Sequence, residues 1–151
     1  MRQFTLRVAE IATFGRQIHV RCDPGPGPLP APGQVCLALT ASPAQPFVRV
    51  ALYPWVGPLG GLEFFLDPAH PYSTLEPGSL LDVIGPCGRG FNLSPRAAHL
   101  LLAASSLERL YPLLYSALER RLAVTVMLPE GARLPDLPPA VEIQCGALTA
   151  D

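Results

Sequence analysis

The stretch with the clearest chemical potential is VIGPCGRGF, residues 83–91, whose three glycines and proline end the apolar run SLLDVIG. Glycines behind a strand let backbone amides approach a phosphate. They equally let the chain turn sharply between two packed layers. Cys87 lies inside this turn with Arg89 two residues on, a neighbour able to lower a thiol pKa. The alternative is a small residue filling a packed turn. His19 sits between Ile18 and Val20, which predicts the polar face of a strand. His70 falls between prolines in a loop, and His99 precedes an apolar run. Neither the histidines nor the carboxylates show metal-ligand spacing. Cys22, Cys36, Cys87 and Cys145 include no CxxC pair, so zinc and iron–sulfur ligation are not indicated and the expectation is buried thiols. GxSxG, HExxH and P-loop lysine motifs are absent. All eleven basic residues are arginine, which excludes lysine Schiff-base chemistry.

The elements that must position these residues change character along the chain. Up to about residue 90, QFTLRVA, RQIHVRC, QVCLALT, FVRVALY, GLEFFL and SLLDVIG read as six short strands. Alternation turns Phe4, Leu6 and Val8 inward on the first, and Ile18, Val20 and Cys22 on the second. Most of the nineteen prolines fall between strands, where a missing N–H costs little. The densest segment, residues 23–33, predicts a stiff loop, with a polyproline ligand as the alternative. Six strands punctuated in this way predict a small antiparallel barrel.

Beyond FNLSPRA the pattern becomes strand–helix–strand. AHLLLAA predicts a strand buried on both faces, LAVTVML another, and AVEIQCG a third. In SSLERLYPLLYSALERR, leucines 107, 110, 114 and 118 keep helical spacing, and Pro112 places the helix start near Tyr111. Ser105 and Glu108 have the spacing of a capping box. Tyr53 and Trp55 lie among glycines and prolines, which predicts surface aromatics suited to protein contacts. Tyr111 and Tyr115 share a helix face, for such contacts or for packing two lobes together.

Composition limits the function. Hydrophobic residues are 49% and charged residues 15%, enough apolar material for a core. A net charge of -1 gives no electrostatic case for nucleic acid. The alternating, charged N-terminus is unlike a signal peptide, and no apolar run approaches the ~18 residues of a membrane span. The expectation is a cytoplasmic protein.

EPGSLLDVIGPCGRGFNL, residues 76–93, resembles the turn that closes the flavin barrel in the ferredoxin–NADP reductase superfamily, in its dihydroorotate dehydrogenase electron transfer subunit flavour. APGQVCLAL, residues 31–39, is similar to an earlier strand of that barrel. The resemblance implies a six-stranded antiparallel Greek-key barrel over 1–95 and a truncated α/β nucleotide-domain-like lobe over 96–151. It also implies an ancestral role in electron transfer through FAD or FMN. The family's flavin motif, an arginine, any residue, an aromatic and a serine, superposes on Val50 to Tyr53, and Arg49 misses by one position. One residue flips a strand side chain to the opposite face. Where the family has a glycine turn for the flavin pyrophosphate, this chain has DPAHPYSTL, with Pro68 and Pro71 lacking amide donors. Any retained flavin would be held by Arg49, Tyr53, Ser73 and Thr74. The family's glycine-rich nucleotide turn aligns with residues 105–113, where its glycines are replaced and Glu108 opposes a phosphate.

Three readings follow. The first is a non-catalytic accessory or assembly subunit, without cofactor, attached to an oxidoreductase or other complex or to itself. The second is a flavin-binding electron transfer subunit. The third is a barrel that binds an unrelated small molecule.

Overall fold

The computed structural model describes residues 2–14, 17–39, 47–105, 107–131 and 137–146. Alternating apolar residues build β1 (Arg2–Phe14), β2 (Gln17–Cys22), β3 (Val35–Leu39), β4 (Arg49–Leu52), β5 (Trp55–Val56), β6 (Leu62–Leu66) and β7 (Leu80–Cys87). They form one antiparallel sheet in the order β4-β3-β7-β1-β2-β6-β5. β7 inserts between β1 and β3 instead of pairing with β6, a Greek-key excursion. β1 serves both halves: Arg2–Arg7 pair with β7, and from Val8 on the strand pairs with β2, with an irregularity between Val8 and Glu10. Such a bulge bends and twists a strand. The six expected strands are present. The seventh, β5, is a two-residue edge strand between Pro54 and Gly57, too short to show a period.

The inward sets expected from alternation hold. Leu6, Val8, Val20 and Cys22 are buried with Cys36, Ala38, Leu52, Phe64, Leu81 and Val83. Burial pushes the Cys22 thiol up to about 12 and the Cys36 thiol up to about 11, so both stay protonated at neutral pH. Cys145, by contrast, is exposed on the edge strand β10 and departs from the expectation of four buried thiols.

The glycine turn is structural. Gly88 has φ +83°, a conformation that L side chains rarely adopt, and a Cβ on Gly90 would stand 2.8 Å from the Ala31 Cβ. The turn is tied to the proline loop: Gln34 Nε2 donates to the Gly88 carbonyl at 3.0 Å and the Phe91 amide to the Pro32 carbonyl at 2.7 Å.

After the turn come β8 (His99–Ala103), α1 (Tyr111–Glu119), β9 (Ala123–Pro129) and β10 (Val141–Gly146). The three strands form a parallel sheet in the order β10-β9-β8. α1 starts at Tyr111 as expected, with a proline in its first turn. Ser105 and Glu108 do not form a capping box: Leu110 is the N-cap and no side chain caps it. β8 is not buried on both faces. It is an edge strand on which Leu102 is buried and Leu101 is 58% exposed. On that outer face a polar ladder crosses all three strands. His99 Nε2 lies 2.8 Å from Thr125 Oγ1, which donates to Glu142 Oε2 at 3.1 Å. No helix among the described residues is long and apolar enough to cross a membrane.

Candidate functional site

Two regions could do chemistry, a groove beside β4 and a cleft beside β2. The groove contains the four residues that the flavin resemblance selects. Arg49, at the start of β4, turns its guanidinium across β3 to β7. It donates to the carbonyls of Leu37 at 3.2 Å and Asp82 at 3.1 Å, and pairs with Asp82 Oδ1 at 3.3 Å. Asp82 also accepts from Gln3 Nε2 at 2.8 Å. Tyr53 follows β4 and carries the Arg109 guanidinium over its ring, 5.5 Å from the centroid. Ser73 is half-buried and Thr74 exposed in the loop between β6 and β7.

Five of that loop's amides are bonded within the loop. The Ala69 amide donates to Asp67 Oδ1, His70 to the Asp67 carbonyl, Ser73 to the His70 carbonyl and Leu75 to the Tyr72 carbonyl. The Tyr72 amide donates to His70 Nδ1 at 3.2 Å. The same imidazole bonds the backbone of Ala51, and burial lowers its pKa, so His70 is a neutral ring linking the loop to β4. Tyr72, which the sequence did not single out, is buried and donates its hydroxyl to the Leu39 carbonyl. Glu108, in the segment leading to α1, reaches the Asp67 amide. Burial first, then the Asp67 charge, raise its pKa.

A phosphate held at a protein backbone needs several amides aimed at one point. In this loop the amides of Ala69, His70, Tyr72, Ser73 and Leu75 have internal acceptors, and Pro68 and Pro71 have no N–H. Arg49 is held by Asp82, and Arg109 covers Tyr53. The residues present therefore do not fit a flavin held in the manner that the resemblance implies.

The cleft lies against the outer face of β2 and β6 and the C-terminal half of α1. His19, expected on a polar strand face, is enclosed by aromatic rings, with Phe14, Trp55 and Phe65 centroids 5.8, 5.8 and 5.0 Å away. Its Nε2 lies 3.0 Å from Oε2 of the buried Glu63 on β6. Trp55 is not a surface residue. It is 8% exposed, stacked 4.8 Å from Tyr115 of α1 and 5.5 Å from Phe65. Tyr111 packs 4.3 Å from Phe65 and donates its hydroxyl to Gln17 Oε1 at 2.5 Å. The tyrosine pair therefore joins α1 to the antiparallel sheet, the packing alternative that the helix face allowed. The cleft encloses about 520 Å³, with Leu137 to Pro139 on its far wall. Sequence periodicity could not find it, because its walls are separated by up to 125 positions. Among the described residues no cluster of His, Cys, Asp or Glu could hold a metal.

No family model matches the chain, and no curated protein matches it. Solved structures do. A ferredoxin reductase in carbazole 1,9a-dioxygenase superposes with a TM-score of 0.70 at 17% identity, over 95% of this chain and 50% of that one. Ferredoxin-NADP+ reductase from Plasmodium falciparum gives 0.72 at 10% identity, over 95% and 71%. The flavohem-like FAD/NAD binding domain of nitric oxide dioxygenase from Vibrio cholerae gives 0.70 at 12%, over 97% and 76%. The chain has the ferredoxin reductase-like fold and spans about half the length of the carbazole dioxygenase reductase.

Proposed function

We propose that this chain is a ferredoxin reductase-like protein that holds no flavin and serves as a non-catalytic accessory or assembly subunit. Its partner would be an oxidoreductase or another complex, or a second copy of itself. The observation that carries this reading is the use of the groove's own donors. The Arg49 guanidinium and the amides of Ala69, His70, Tyr72, Ser73 and Leu75 are bonded within the protein, so a pyrophosphate would have to displace them. Breaking such bonds without full replacement costs about 1–3 kcal/mol per buried group. On this reading residues 1–95 keep the barrel for its shape, and 96–151 are a nucleotide-domain-like α/β lobe. Glu108 on Asp67 and Arg109 on Tyr53 fasten that lobe to the barrel.

The second reading, a flavin-binding electron transfer subunit of the dihydroorotate dehydrogenase type, draws support from the retained turn at 76–93 and from neighbours that include an FAD/NAD binding domain. The two part in one experiment, in which the tagged protein is purified from its host and its visible spectrum recorded. The accessory reading expects a colourless protein with a polypeptide in stoichiometric amount. Stoichiometric flavin absorbance would favour the second reading.

A further inference from the structure

The edge of a β-sheet presents backbone N–H and C=O groups that template pairing with another strand, and proteins blunt it with charge, proline or shortness. Among the described residues the two sheets end in β4, β5, β8 and β10. Three of these edges are blunted. β4 is four residues long and begins with Arg49, whose guanidinium reaches Asp82. β5 is two residues long, with Pro54 before it and Pro58 just beyond. β10 presents the exposed Glu142 and Gln144. β8 differs: HLLLA contains no Asp, Glu, Lys, Arg, proline or glycine, and Leu101 is 58% exposed between the exposed His99 and Ala103.

The ladder between β8 and β9 identifies the outward groups. The Ala98 carbonyl accepts from the Ala123 amide, and the Ala104 amide donates to the Met127 carbonyl. Backbone groups along a strand alternate in direction, so Leu100 and Leu102 share the direction of Ala98 and Ala104 and face β9. The N–H and C=O groups of His99, Leu101 and Ala103 point the other way, where no strand among the described residues pairs with β8.

We propose that this edge pairs with β8 of a second copy of the chain, antiparallel about a two-fold axis at Leu101, an assignment that rests on the accessory reading and names its partner. The register favours a second copy. Leu101 faces Leu101 of the second copy and His99 faces Ala103, while Leu100 faces Leu102 on the opposite face. Each outward N–H then meets an outward C=O, because residues of that parity form the hydrogen-bonded pairs of an antiparallel contact. No like charges oppose each other, since the strand carries no Asp, Glu, Lys or Arg. The two-fold arrangement also closes on itself, whereas a head-to-tail pairing would leave an edge open to further copies.

Sedimentation equilibrium of the full chain tests this pairing, together with hydrogen exchange of the β8 amides. The expected result is a reversible dimer in which the amides of His99, Leu101 and Ala103 are protected and lose that protection on dilution. Leu101→Lys sets like charges against each other at the axis and should raise the dimer dissociation constant at least about tenfold. Because Leu101 is exposed, the variant should keep the circular dichroism spectrum of the parent. A chain that stays monomeric up to sub-millimolar concentration would overturn the proposal. So would a dimer in which those three amides exchange freely, or one that Leu101→Lys leaves intact. Failure of the accessory reading shows as flavin absorbance and failure of the pairing as mass and exchange, so the two are distinguishable.

Discussion

The groove beside β4 and the cleft beside β2 use similar parts: a basic side chain beside a carboxylate, a tyrosine, and a connection to the α1 region. In the groove, Arg49 faces Asp82 and backbone carbonyls, and Tyr53 is covered by Arg109. In the cleft, His19 and Glu63 meet at 3.0 Å on the wall of an open volume. Both pairs are directed at one another, but the groove's pair closes across β3 whereas the cleft's pair lies beside an open volume. On the proposed reading, the fold keeps the framework of a cofactor site while donors of that site bond within the protein.

The largest expected effect comes from breaking the joint between α1 and the antiparallel sheet. Tyr111→Ala removes a fully buried ring packed on Phe65 and should cost about 3–5 kcal/mol in urea unfolding. A loss under about 1 kcal/mol would mean that α1 is not anchored by this cluster. Next, Arg49→Ala tests whether the arginine is structural. It leaves the Leu37 and Asp82 carbonyls without their donor and should cost about 1–3 kcal/mol, with or without added flavin. Unchanged stability would return Arg49 to the list of ligand-binding residues. Gly88→Val should cost about 1–2 kcal/mol through its positive φ alone, because nothing lies within 4 Å of the added Cβ.

The smallest effects are in pH dependence, and the two groove groups have opposite signs. His70 is lowered from 6.5, so the unfolded chain takes up the proton first. Its contribution is full above pH 6.5 and is lost as pH falls below that value towards the folded pKa. Glu108 is raised from 4.5, so the folded chain holds its proton more tightly. That contribution is full below pH 4.5 and is lost as pH rises through the folded pKa. Unfolding midpoints measured across pH 4–8 should therefore lose their low-pH decline near 6.5 in His70→Asn. Glu108→Gln should be at least as stable as the parent at pH 7. The reverse pattern would break the assignment of these groups to the groove.

Much of the antiparallel sheet is legible in the sequence because period-2 alternation determines which face of a strand is buried. Leu6, Val8, Val20 and Cys22 follow it directly. The run AHLLLAA misleads for a related reason: continuous apolarity does not distinguish a central strand from an edge strand, and β8 lies at an edge. Trp55 reads as exposed because its flanking glycines and prolines signal a loop, while the ring that covers it, Tyr115, arrives 60 positions later. The Arg49 register is similarly hidden. The one-residue offset from the flavin motif is visible, but the Asp82 that receives the guanidinium lies two strands away.

The most direct test of the central claim is equilibrium dialysis of the full chain against FAD and against FMN at micromolar concentrations. With the groove's donors bonded internally, neither flavin should be retained above the buffer level, and Arg49→Ala should leave that result unchanged. Stoichiometric retention by the parent chain, abolished in Arg49→Ala, would contradict the account.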